Sequence, residues 1–89
     1  MKAGTEKEAN TKNLEKLKSL SKNIEEMYKE VAAIGVNEGT RALDRGGTKE
    51  DVRMCLTLRA FLENLGKAAG ACELAIDQIN ERLENENRS

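Results

Sequence analysis

Residues 55–83 decide the fold of this chain, and they read CLTLRAFLENLGKAAGACELAIDQINERL. One apolar seam runs through this stretch in alternating steps of three and four residues: Cys55, Leu58, Leu62, Leu65, Ala69, Cys72, Ile76, Ile79 and Leu83. Heptad spacing of this kind places the side chains along one face of a single long α-helix. Because an apolar seam is unfavourable in water, the pattern predicts another helix packed against it.

The seam belongs to a helix predicted over residues 48–84. Thr48 follows two glycines and is a good N-cap residue, because its hydroxyl can accept a hydrogen bond from a free amide of the first turn. Gly66 and Gly70 each cost about 1 kcal/mol in a helix interior relative to alanine, so a break into three helices is the alternative. The seam stays in phase across both glycines and no proline intervenes, which favours one continuous helix.

The first helix is predicted over residues 11–34. Its heptad positions are Leu17, Leu20, Ile24, Met27, Val31 and Ile34, with Leu14 and Tyr28 beside them. Residues 1–10 are expected to fray, although a capping box at residues 5–8 offers an earlier start. Gly35 is expected to end the helix. Residues 35–47 then form a glycine-rich connection, with or without a short helical turn at residues 37–43.

These two helices define an all-α fold, a long antiparallel helical hairpin that forms a single domain over residues 1–89. The composition agrees, because the chain has no proline, only two aromatic residues and 35% charged residues. Sheets favour aromatic and β-branched residues, whereas long helices do not require them.

Dimerisation into a four-helix bundle is predicted because a chain of 89 residues has a marginal core. Met54, Phe61, Ala68 and Ala75 adjoin the seam and widen it to three positions per heptad, as in bundle helices. The expected register places Ile34 near Val52 and Leu14 near residue 70. The last third of the seam would then extend past the apolar part of the first helix.

A second copy is expected to cover that overhang and to cross at the small residues in the middle of the second helix. The predicted dimer interface is Leu65, Gly66, Ala69, Gly70, Cys72, Ile76, Ile79 and Leu83. The alternative is that the small residues accommodate the first helix within one chain.

Catalytic, cofactor-binding and metal-binding residues are not predicted. The chain has no histidine, so Cys55 and Cys72 lack the usual base that activates a catalytic thiol, and a four-ligand zinc site is improbable. Both cysteines lie on the seam and are interpreted as small buried residues. Residues 46–49 resemble part of a phosphate-binding loop, but its full glycine spacing and preceding strand are missing.

Four basic residues cluster around the connection: Arg41, Arg45, Lys49 and Arg53. Contact with nucleic acid or with an acidic protein is one use for them. Four acidic residues lie among them and no aromatic residue is present for base stacking. Local salt bridges are therefore the favoured interpretation, and the net charge of −1 provides no general attraction for phosphate.

The predicted function is a non-catalytic helical protein–protein interaction module, a small dimeric regulator, adaptor or inhibitor that binds another macromolecule. The alternative is a weak nucleic-acid-binding accessory protein that uses the basic residues around the connection. No apolar stretch approaches the ~18 residues of a membrane span, so no membrane partner is predicted. A cytoplasmic protein with reduced thiols is the expectation.

Overall fold

Two long helices, packed side by side in opposite directions, make up the fold. The computed structural model has α1 at Ala3–Asp44 and α2 at Lys49–Arg88, and it describes the backbone of residues 3–88 and the side chains of residues 5–87. The hairpin measures 65 × 18 × 14 Å along its principal axes. The predicted all-α helical hairpin is confirmed, and α2 is continuous through both of its interior glycines.

The turn between the helices is a Schellman motif followed by a capping box. Gly46 and Gly47 have φ angles of 81° and 67°, a region that side chains disfavour. The amide of Gly47 donates to the carbonyl of Ala42 at 2.8 Å, and that of Gly46 donates to Leu43 at 3.3 Å. These two bonds satisfy carbonyls at the end of α1. The two glycines therefore give α1 its C-terminus.

The capping box at the start of α2 joins Thr48 and Asp51. The Asp51 amide donates to the Thr48 hydroxyl at 3.1 Å, and the Thr48 amide donates to the Asp51 carboxylate at 3.0 Å. The side chain of each residue thus accepts a hydrogen bond from the backbone amide of the other. The predicted N-cap at Thr48 is confirmed.

Helix α1 is longer at both ends than the sequence predicts. The expected helix end at Gly35 is wrong, because the helix continues for nine residues to Asp44. Gly35 does not adopt a positive φ angle, and the glycine pair at 46–47 supplies the left-handed conformation instead. Residues 3–10 are helical rather than frayed, while residues 1 and 2 lie outside the described part of the chain. Neither predicted start is a cap, since the Thr11 hydroxyl bonds back to the Lys7 carbonyl at 2.8 Å.

The longer α1 shifts the register of the hairpin and removes the predicted overhang. The Cys72 thiol lies 3.3 Å from the Leu17 carbonyl, and the side-chain amide of Asn10 donates to the Glu86 carboxylate at 3.1 Å. The expected pairing of Leu14 with residue 70 is therefore wrong. The first third of α1 covers the last third of α2, and Ile79 is only 9% exposed.

The seam of α1 also differs from the predicted one. Val31 is buried, and Leu14, Leu17, Ser21 and Ile24 are half-buried. In contrast, Leu20, Met27 and Ile34 are 52%, 43% and 48% exposed. The assignment of these three residues to the seam is wrong, because α1 turns a neighbouring set of positions toward α2.

Replacing Thr48 with alanine is expected to lower the free energy of unfolding by about 1 kcal/mol, because the N-cap hydrogen bond to Asp51 is lost. Thr57→Ala is the matched control, since Thr57 is exposed within α2 and should change stability by less than about 0.5 kcal/mol. Urea unfolding followed by circular dichroism measures both. Equal effects of the two substitutions would contradict the cap.

Candidate interaction surface

Five large apolar side chains form an exposed stripe on the hairpin. They are Leu20, Met27 and Ile34 of α1 and Met54 and Phe61 of α2, with exposed fractions between 43% and 52%. Each of them immediately precedes a heptad position of its own helix, which is Ser21, Tyr28, Gly35, Cys55 or Leu62. We refer to these five residues as the apolar flank.

The two halves of the apolar flank lie on the same face. A groove on the other side of the hairpin, opposite the flank, shows why. Glu25 and Gly66 line that groove together with the seam residues Ile24 and Ala69. Glu25 and Gly66 each follow a seam position. In an antiparallel pair the positions that follow the seam share one groove, so the positions that precede it share the other. The flank residues of α1 and α2 therefore meet along one side.

The same register sets the order of residues along this side. Tyr28 and Leu65 line the opposite groove together, so they lie at about the same level of the hairpin. The flank-side positions nearest to that level are Met27 on α1 and Ala68 on α2. Positions seven residues away follow with the helix repeat, so Ile34 lies level with Phe61. Leu20 lies level with Ala75 in the same way. Two of the three large flank residues on α1 thus stand beside an alanine of α2.

Few charges border the apolar flank. The positions three residues after its five members, one helical turn along the same side, are Asn23, Glu30, Asn37, Thr57 and Asn64. Only one of these is ionisable, while Lys16 and Glu50 lie one turn before the first flank residue of each helix. The opposite side is more highly charged, and there Lys29 lies 3.7 Å from Glu25, in the ion pair expected for residues one turn apart. The low charge makes the flank the better surface for apolar contact.

Most of the predicted dimer-interface residues are used within the hairpin itself. Leu65 and Cys72 are 8% exposed, and Ala69, Ile76 and Leu83 are half-buried, as expected for a seam that faces α1. The two glycines differ. Gly66 and Gly70 are exposed, and a Cβ added to either would have no contact within 4 Å outside its own helix backbone. Close approach of α1 therefore does not require them.

Two of the five residues of the apolar flank are recognisable from the sequence. Met54 and Phe61 already widen the α2 seam in the heptad pattern. Leu20, Met27 and Ile34 fit a heptad as well, and that fit concealed their exposure. The signal that would have found them is the second heptad of α1, which begins at Leu14 and Leu17 and includes Tyr28.

Both cysteines lie on the seam of α2. Both thiols are free, and Cys72 is buried whereas Cys55 is half-buried. The Cys72 thiol faces the Leu17 carbonyl rather than a base. Within residues 3–88, no cluster of three or more acidic or cysteine side chains could hold a metal ion, and no helix combines the length and apolarity needed to cross a membrane.

The basic cluster at the turn is partly neutralised by neighbouring carboxylates. Arg45 donates to the carboxylate of Asp51, and Arg41 lies 3.9 Å from Glu38. Lys49 and Arg53 are exposed. Two of the four predicted nucleic-acid contacts therefore engage in local salt bridges, which was the favoured interpretation of the sequence.

Asp51 is a charged side chain that is only 7% exposed. The hydrogen bond from the Thr48 backbone amide holds the pKa of its carboxyl below the ordinary value of 3.8. Burial opposes this effect, while the Thr48 side chain and the Arg45 guanidinium add to it. The carboxylate is therefore stabilised in its charged form at the start of α2.

Acid is expected to remove the contribution of Asp51 to stability. Because its folded pKa is lowered, the contribution is fully present above 3.8 and is lost as the pH falls through the folded pKa. Asp51→Asn should therefore destabilise the hairpin at about pH 7 and have a smaller effect at about pH 2.5. Urea unfolding at both pH values measures the difference. A loss of stability in Asp51→Asn that is the same at both pH values would contradict the charged cap.

Comparison with known proteins adds no relative to this geometry: no protein-family model matches the chain, and no curated protein or solved structure is detectably similar to it.

Proposed function

We propose that the chain is a non-catalytic interaction module that binds another helical protein chain through its apolar flank. The observation that carries the proposal is the flank itself. It places five large apolar side chains, each roughly half exposed, on one side of a rigid two-helix scaffold. Exposed apolar patches of this kind mark interaction sites.

The energetics favour covering this surface. Fully burying a large aliphatic or aromatic side chain contributes about 1.5–3 kcal/mol, and the flank residues have gained only about half of that. Covering the rest would contribute roughly 1 kcal/mol per residue. That gain opposes the cost of association.

The hairpin alone has a thin core. Among the described residues, Val31, Leu65, Cys72 and Ile79 are the buried hydrophobic side chains, and none is completely buried. A partner on the flank would turn the two-helix layer into a thicker bundle. Binding to the folded state also raises stability by mass action.

A helical partner fits the spacing of the flank. Its residues recur every seven positions on each helix, which is about 10 Å of helical rise. A facing helix with apolar residues at heptad spacing presents side chains at matching intervals.

Affinity capture with paired variants tests this function. The tagged wild-type chain, Ile34→Glu and Leu74→Glu would be used on extracts of cells that express the protein, and each captured protein would be rebound in purified form. Leu74 is 59% exposed and lies on α2 away from both grooves. The expected partner binds the wild type and Leu74→Glu and is lost with Ile34→Glu. Equal binding to all three would contradict the role of the flank.

A further inference from the structure

We infer that the chain seated on the apolar flank is a second copy of this protein, so that two hairpins form a four-helix bundle with their turns at the same end. The inference rests on the proposed function, because it names the partner of the same surface. It moves the dimer interface from the seam of α2 to the flank.

The apolar stripe on each helix is wide enough for a bundle. Helices of a two-stranded coiled coil need two apolar positions per heptad, whereas helices in a bundle need a third, adjoining one. Both α1 and α2 carry that third position, and on both it faces the same side of the hairpin. Two helices with bundle-type stripes that share one open side can be covered by two more helices of the same kind. A second hairpin provides them.

At two levels of the flank, a large side chain of α1 lies beside a small side chain of α2. A two-fold axis parallel to the helices, in the plane between the hairpins, would place α1 of one copy over α2 of the other at the same level. Met27 would then face Ala68 of the second copy, and Leu20 would face its Ala75. Alternation of large and small side chains lets facing layers interdigitate. The opposite orientation would pair α1 with α1, so that the large flank residues of α1 would face one another, which fits less well.

The flank side carries little charge. Burying an unpaired charge in an interface is unfavourable. Glu30 is the one ionisable residue among the five that border the flank. At the turns, residues 35–54 carry four basic and four acidic side chains, so turns at the same end meet without net repulsion.

The available area agrees with a reversible dimer. From the level of Leu20 to that of Met54 the flank spans about 21 residues of helix, or roughly 30 Å. Two helix widths give a side about 20 Å across. The product is about 600 Å² per copy and about 1,200 Å² in total, which is the lower end of stable interfaces. We therefore expect association that depends on protein concentration.

Sedimentation equilibrium of the purified full chain, across micromolar to millimolar concentration, tests the inference with two pairs of variants. Phe61→Glu and Ala68→Glu change the flank side. Leu74→Glu and Ala60→Glu place glutamate at exposed positions on the outer side of α2 instead. The wild type and the two outer variants are expected to shift from 9.8 kDa toward twice that mass. The two flank variants are expected to raise the dissociation constant at least about 100-fold, with the helical circular dichroism retained.

A wild-type mass that stays at 9.8 kDa up to about 1 mM would overturn the second copy. Capture of another protein that is lost with Ile34→Glu would show that the proposed function stands without it. Equal loss of the dimer in flank and outer variants would overturn the assignment of the interface. Ala68→Glu adds one exposed side chain to an intact helix, so it decides the question even if Phe61→Glu fails to fold.

Discussion

Replacing Gly35, Gly39, Gly66 and Gly70 together with alanine is expected to raise the free energy of unfolding by about 3–4 kcal/mol. All four lie inside helices, where glycine is less favourable than alanine by about 0.8–1 kcal/mol. None of the added Cβ atoms would have a contact within 4 Å outside its own helix backbone, so no steric cost offsets the gain. Urea unfolding at one fixed protein concentration measures the change.

The turn provides the control of opposite sign. Gly47 has a φ angle of 67°, and alanine in that region costs roughly 1–2 kcal/mol. Gly47→Ala should therefore lower the stability that Gly35→Ala raises. If Gly35→Ala were destabilising, α1 would end near residue 35, as the sequence alone suggested, and its continuation to Asp44 would be wrong.

Replacing Ile79 with alanine is expected to lower the free energy of unfolding by about 2 kcal/mol. Ile79 is 9% exposed, and truncation of a buried isoleucine removes apolar burial and leaves a cavity. The estimate is at the low end of the usual range, because a two-helix layer relaxes more easily than a deep core and alanine favours the helix.

Leu74→Ala is the matched control for Ile79→Ala. Leu74 is 59% exposed and lies on the outer side of the same helix, so its truncation should change stability by less than about 0.5 kcal/mol. Urea unfolding of both variants at the same concentration compares them. A negligible effect of Ile79→Ala would support the predicted overhang, in which Ile79 lies past the apolar part of the first helix.

Helix α2 was predictable because its signals agree. Its seam has one uninterrupted phase from Cys55 to Leu83, and the glycine pair before Thr48 marks its start. Helix α1 is different, since its apolar residues fit two heptads that share Leu17, Ile24 and Val31. The sequence favours the heptad with more large apolar residues, which includes Leu20, Met27 and Ile34.

The structure uses the other heptad of α1, which includes Ser21 and Gly35. Which of the two faces α2 depends on where the turn lies, and therefore on the register of the pair. A helix end at Gly35 predicts a different register. One misplaced terminus thus accounts for the wrong seam, the wrong register and the apparent overhang. The same error hides the exposure of Leu20, Met27 and Ile34.

Photo-crosslinking from position 61 tests most directly which side of the hairpin binds its partner. Benzoylphenylalanine would replace Phe61 in one sample and Leu74 in a control, and mass spectrometry would map the cross-linked peptides. The expected product from position 61 is a covalent dimer with twice the mass of one chain, joined through the peptide that contains Ile34, because the two residues lie level across the bundle. Position 74 should give no such product. Cross-links from position 61 to the groove beside Gly66, or equal cross-linking from both positions, would contradict the apolar flank as the binding surface.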